Sequence, residues 1–345
     1  MMWHLAVLLA ALVLDRVVGD PDWLWRRLSH PVVIFGQAIG FIERRFNHAD
    51  DSALTRQRNG RIAIAALLIV AALAGLALNV AFAQLGMIGW ALETVIVAVF
   101  LAQKSLGDHV CAVVTGLREG GVVGGRAAVA MIVGRDPEAL DEAGVSRAAI
   151  ESLAENFSDG IVAPVLWYAV FGLPGLLAYK MLNTADSMIG HLNDRYREFG
   201  RAAALLDDLA NWPAARLSAL LIACGAGLAR GIDAMRQAGE QALVDSGLHR
   251  SPNAGWPEAA MAGALGLSLA GPRQYGGEMV MEASVNARGR RQASAADVEE
   301  ALKIFFEPVT VSPLPFCWCL QFFKTKINQL VASVFRMPLL FLTLT

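Results

Sequence analysis

The chain has little charge for its length. Of 345 residues only 17% are Asp, Glu, Lys or Arg, and the net charge is -2. A nucleic-acid partner calls for a basic face, so this balance gives that class no support. Cysteine is scarce as well. Cys111, Cys224, Cys317 and Cys319 lie in or near apolar sequence, without the spacing of a disulfide framework. They read as buried thiols on the reducing side of a membrane. Cys317 and Cys319 also have the form of a metal pair, although a lone C-x-C is a weak signal. No basic stretch precedes the first apolar run, and no clear small-residue cleavage site follows it. Residues 3–18 therefore read as a retained membrane segment and not as a secretory signal. A G-x-x-x-x-G-K-[ST] phosphate loop is absent, and the glycine-rich stretch 120–125, which has no Lys, reads as a turn.

Apolar sequence is what the chain has in excess. It is 55% hydrophobic with a mean hydropathy of +0.46, beyond the usual range of a soluble globular chain. Residues 62–85 are long enough to span a bilayer. Residues 87–106 form a second span, with Glu93 inside it and Lys104 near its end. The uncharged link around Gly86 makes the two a tight hairpin. Residues 161–171 and 176–182 are shorter and flank Gly172, Pro174 and Gly175, so they read as one broken span or a re-entrant pair. Residues 217–229 and 259–270 are marginal, each a span or a core helix. The expected class is an all-α, polytopic integral membrane protein with several spans, short or re-entrant helices and cytoplasmic helical loops.

Arginine orients it. Arg26, Arg27, Arg44, Arg45, Arg56 and Arg58 precede the hairpin, and Arg118, Arg126, Arg135 and Arg147 follow it. The positive-inside rule puts both groups in the cytoplasm and the N-terminus outside. Arg195, Arg197 and Arg201 join them if 161–182 is re-entrant. The expected location is the cell (inner) membrane.

Three acidic and amide knots interrupt the apolar sequence between residues 151 and 211, and carboxylates near a bilayer are costly without a partner, a cation or a reaction. Glu151, Glu155 and Asp159 stand at i, i+4 and i+8, so a helix puts them on one face with nothing basic among them. That arrangement favours a divalent cation or raised carboxyl pKa values; a solvated helix face with Asp159 as a cap is the alternative. Lys180, Asn183 and Asp186 share one side of a helix, where they could hold a phosphate and its magnesium or form an internally satisfied polar patch. Asp207, Asp208 and Asn211 form a D-D-x-x-N element suited to oxygen ligation of magnesium. Trp212 and Pro213 then open the next helix, with Asn211 as a plausible N-cap. Arg195, Arg197 and Arg201 around Tyr196 fit phosphate or carboxylate recognition, and equally a membrane-surface anchor. The loops at 251–258 and 271–277 flank a short apolar run and could wall a substrate, or be plain turns at helix ends.

These motifs resemble the adenosylcobinamide-phosphate synthase family, the CobD/CbiB membrane proteins of cobalamin biosynthesis. The likeness runs in order from about residue 5 to 303. It passes through Gly19-Asp20-Pro21, His30-Pro31-Val32, Gly134-Arg135-Asp136 and Arg147 to Gly160, and then through Tyr179 to Met188, Asp207 to Asn211 and Ser251 to Ala259. The resemblance implies amide formation between adenosylcobyric acid and (R)-1-aminopropan-2-ol or its O-phosphate, dependent on ATP and magnesium, with no tightly bound organic cofactor. In that reading Asp186, Asp207, Asp208 and Asn211 hold magnesium. Lys180, Asn183, Arg195, Arg201, Asn253, Trp256 and Glu258 meet substrate or phosphate. Glu151, Glu155 and Asp159 form an acidic wall for the amine or a second metal, one of them a possible general base. Membrane lipid, a second copy or other corrinoid-pathway enzymes are the expected partners. Two other classes stay open: another intramembrane magnesium phosphotransferase, and a corrinoid transporter or scaffold without turnover. The expected organisation is one enzyme domain over 1–303 and an atypical tail over 304–345. There, prolines, Cys317, Cys319, Lys324 and Lys326 replace the family's ordinary apolar terminal helix.

Overall fold

Long apolar runs become long helices. The computed structural model describes residues 2–134, 136–271, 273–275 and 278–310. Arg135, the pair Cys317 and Cys319, and the sequence from 311 onward lie outside these. The order is α1 (Met2–Val17), α2 (Asp22–Trp25), α3 (Pro31–Phe46), α4 (Ala53–Ala83), α5 (Met87–Val99), α6 (Gln103–Val129) and α7 (Glu142–Phe157). A π turn, Ser158–Val162, leads into α8 (Ala163–Phe171) and α9 (Leu173–Ile189). Then come α10 (Arg201–Arg230), α11 (Ile232–Asp245), α12 (Gly255–Leu265) and α13 (Ala295–Thr310). Two small antiparallel pairs lie between the last helices: β1 (Leu269–Ala270) with β4 (Ser284–Val285), and β2 (Arg273–Tyr275) with β3 (Glu278–Val280). The fold is thus that of an all-α membrane protein, as expected, with the second glycine-rich loop drawn into a short hairpin.

Three helical stretches are long and apolar enough to cross a membrane by length and composition: Ala53–Ala83, Met87–Val129 and Arg201–Arg230. At 1.5 Å per residue α4 is about 46 Å long. Ser52 starts it by accepting the Thr55 N–H at 3.2 Å. Its Ala63, Ile64, Leu67 and Ala71 are buried while Ile69, Val70, Leu73, Leu76 and Val80 are exposed. A helix apolar on both faces suits protein on one side and lipid on the other.

The second expected span falls within the stretch Met87–Val129, which is built of two helices. Residues 87–106 do not form one helix: α5 ends at Val99 and α6 begins at Gln103. The cause lies far away in the chain. Asp15 of α1, 3% exposed, accepts the Gln103 N–H at 2.8 Å and its side-chain amide at 3.3 Å, and Leu12 accepts that amide at 3.1 Å. A carboxylate at a helix start satisfies N–H groups that no helix can satisfy internally. Glu93, also buried, accepts the Tyr168 hydroxyl at 2.7 Å, so the carboxylate inside α5 has its partner. The 120–125 turn is present: Gly121, at φ 59° and ψ -151°, kinks α6.

The third knot also departs from expectation. No helix opens at Trp212 and Pro213; α10 runs through both, so Asn211 is interior and not an N-cap. Pro213 removes one backbone donor. Side chains support that turn, since Trp167 Nε1 donates to the Ala210 carbonyl at 3.2 Å and Arg216 to the Trp212 carbonyl at 2.8 Å. Of the two marginal segments, 217–229 is the end of α10, and 259–270 gives α12, a short, buried core helix followed by β1. α13 continues helically past Lys303.

Candidate functional site

Five segments meet at one end of the helices: the last turn of α7, the π turn, the C-terminal end of α9 with the stretch 190–200, the first turns of α10, and the loop 250–254. They enclose an open cavity of about 860 Å³. Glu155, Asp159, Asp186, Asp207 and Asp208 give it an acidic wall, and Arg197, Arg201 and Arg250 line it as well.

The acidic wall is built by helix register. Asp207, Asp208 and Asn211 sit on one turn of α10, and Asn211 Nδ2 donates to Asp207 Oδ2 at 2.8 Å. That bond fixes the amide and turns Asn211 Oδ1 toward the Tyr179 hydroxyl, 2.8 Å away. The same hydroxyl is 2.9 Å from the Asp159 carbonyl, so its single proton ties α9 to either α10 or the π turn. Asp186 ends α9 beside both Asp207 and Asp208. Gly190 makes this possible: its N–H donates to the Asp186 carbonyl at 2.7 Å, and a Cβ there would lie 2.0 Å from Asp186 Oδ1. Asn253 Nδ2 donates to the Asp208 carbonyl at 2.8 Å and approaches its Oδ1 at 3.4 Å.

Of the residues singled out in the sequence, the fold gathers Glu155, Asp159, Asp186, Arg197, Arg201, Asp207, Asp208, Asn211, Ser251 and Asn253 around this cavity. The others stand apart from its lining. Glu151 does not share the wall with Glu155 and Asp159. Glu151 lies one turn earlier on α7 than Glu155, away from the cavity, and is buried against β1, accepting the Ala270 N–H at 2.8 Å. Arg195 is committed to Glu43 through Nε and a terminal nitrogen, both at 2.9 Å. Lys180 is half-buried behind the wall, with Asp159 and Asp20 as its acidic neighbours. Asn183 reaches toward Asp207 from α9. Trp256 packs on Arg216, whose guanidinium also lies over Trp212. Glu258 faces His249 at 3.6 Å.

Sequence reasoning missed His191, Glu198 and Arg250 as lining residues. Arg250 had a usable signal, since it directly precedes the Ser251-Pro252 turn. His191 had none, because its place depends on how the chain turns after Gly190.

Among the described residues no three His, Cys, Asp or Glu groups converge as a metal cage. Asp207 Oδ1 is buried without a hydrogen-bond partner there. Magnesium is commonly held by one or two carboxylates with waters and substrate phosphates. The all-oxygen donors of Asp186, Asp207 and Asp208 fit that mode and not a closed protein site.

The family described as CobD/Cbib protein matches residues 8–305. A "Cobalamin biosynthesis protein CobD" of Sinorhizobium sp is 62% identical over 307 residues, covering 89% of this chain and 95% of that protein. Proteins of the same name from Rhizobium meliloti (strain 1021) and Brucella suis biovar 1 (strain 1330) are 59% and 57% identical. They cover 90% and 89% of this chain, and 95% and 94% of their own length. No solved structure matches.

Proposed function

This chain belongs to the CobD/CbiB family and has a role in cobalamin biosynthesis, and from that premise we propose that it joins adenosylcobyric acid to an amino alcohol, or to its O-phosphate, through an amide bond. The carrying observation is one cavity in which six carboxylates and three arginines meet. A carboxylate is a poor acyl donor, and transfer of a phosphoryl group from ATP to the corrinoid carboxylate makes it a good one. The amine then attacks the acyl carbon, phosphate leaves, and the nitrogen loses a proton.

Arg197, Arg201 and Arg250 suit the phosphate groups because guanidinium forks bind such oxygens with two donors. Asp186, Asp207 and Asp208 would hold magnesium, which when bound offsets phosphate charge and orients the transferring group. Glu155 or Asp159 would take the amine's proton, a role that needs a carboxylate close to the reacting nitrogen. The active site then faces the cytoplasm, where ATP is supplied.

The test is a mass measurement. Purified protein in detergent, given adenosylcobyric acid, magnesium-ATP and each amine, should yield a corrinoid heavier by the amine minus water. Asp207→Asn and Asp208→Asn should each lower turnover at limiting magnesium by at least about tenfold. Absence of amide product from folded protein with both amines sinks the reading. Transport or binding without turnover would point to a carrier, and phosphate transfer to a lipid alcohol to a phosphotransferase.

A further inference from the structure

His249 and Glu258 lie behind the loop 250–254, which supplies the cavity with Arg250, Ser251 and Asn253. Neither lines the cavity. Their side chains are 12% and 2% exposed. His249 Nδ1 accepts the Ser251 N–H at 3.0 Å. A ring nitrogen that accepts carries no proton, so in the neutral ring the proton sits on Nε2, which is 3.6 Å from Glu258 Oε1. Glu258, in the first turn of α12, thereby favours the tautomer that holds the loop.

The chain of bonds continues to the acidic wall. Ser251 Oγ accepts the N–H groups of Asn253 at 3.3 Å and Ala254 at 3.2 Å. Asn253 in turn holds Asp208, as described above. Packing leaves little slack, because a Cβ on Gly255 would lie 2.8 Å from His249 Cβ.

We infer that His249 and Glu258 are positioning residues that fix the loop 250–254 against α12, so that Arg250 faces the cavity and Asn253 stays on Asp208. The sequence reading placed Glu258 at the substrate; on this inference it acts through His249. The effect on turnover rests on the proposed amide synthesis, whereas the effect on the loop does not.

The experiment is hydrogen exchange on the full chain in detergent, paired with the amide assay. His249→Ala should speed exchange in the segment 250–254 by about tenfold, the size of one ordinary hydrogen bond, and leave α4 and α9 unchanged. It should lower kcat/KM by a similar factor. His249→Asn keeps an acceptor near the place of Nδ1 and should restore both. His249→Gln puts its polar atoms near Nε2 and should restore neither. Unchanged exchange in folded His249→Ala overturns the inference, as does equal rescue by Gln and Asn. If His249→Ala does not fold, the pair His249→Gln and His249→Asn replaces it: exchange in 250–254 should be faster in the Gln variant, and equal exchange in the two overturns the inference. Faster loop exchange in a protein that makes no amide product would leave the positioning role standing and remove the synthase reading.

Discussion

Glu43 is 4% exposed and accepts three N–H bonds, two from Arg195 at 2.9 Å and one from Asn47 at 3.1 Å. Burial by itself would raise its pKa. The Arg195 guanidinium and the Asn47 amide overcome that and hold it below its ordinary 4.5. The unfolded chain therefore takes up this proton at a higher pH than the folded one. The resulting stability is fully present above about pH 4.5 and is lost as pH falls through the folded value. Glu43→Gln should melt at a lower temperature than the parent at pH 7, and the gap should close as the pH drops below that range. A gap that stays constant with pH would place the effect in packing and not in charge. The same pair explains why Arg195, read as a phosphate group from the sequence, stands apart from the cavity lining: a forked guanidinium already occupied by a carboxylate has little left to offer a ligand.

Among the elements, the break between α8 and α9 has a cause confined to a single residue. Gly172 has φ 67° and ψ -150°, a conformation essentially reserved for glycine, and it lets two helices join without a loop. An added Cβ would meet no atom closer than 3.6 Å, so strain and not collision decides the outcome. Gly172→Ala should destabilise the protein by about 1–3 kcal/mol in denaturant titrations. Gly120→Ala, a helical position with open space around it, should not. Equal effects at the two sites would refute the strain account. Because α9 carries Tyr179 and Asp186, the same variant should also loosen the acidic wall.

For the whole molecule the open question of side is one of charge. Arg56, Arg58 and Arg61 lie in the first turns of α4, beyond its most apolar stretch, and Arg56 bonds Asn47 and the Asp194 carbonyl near the cavity. The positive-inside rule predicts that these arginines and those from Arg118 to Arg147 share the cytoplasmic face. In a background without native cysteines, Arg58→Cys and Glu138→Cys should both label from the cytoplasm, and Met87→Cys from the opposite side. All three are exposed positions. Opposite labelling of positions 58 and 138 would exclude an even number of crossings between them.

The sequence alone determined the class, because hydropathy and length act locally: α4 and the turns at Gly172 and Gly121 need no distant partner to be foreseen. It also located most of the acidic wall, since Asp207, Asp208 and Asn211 share a helical turn wherever that helix goes. Tertiary structure decided what depends on residues far apart in the chain. Asp15 caps the start of α6 inside the second span, Glu43 claims Arg195, and Ala270 claims Glu151. In each case a buried charge or an unsatisfied N–H takes the nearest complementary group, and only the folded chain says which group that is. Glu151 shows the limit most directly. It keeps the expected four-residue spacing from Glu155 on α7, yet one helical turn separates a residue at the cavity from one buried against β1.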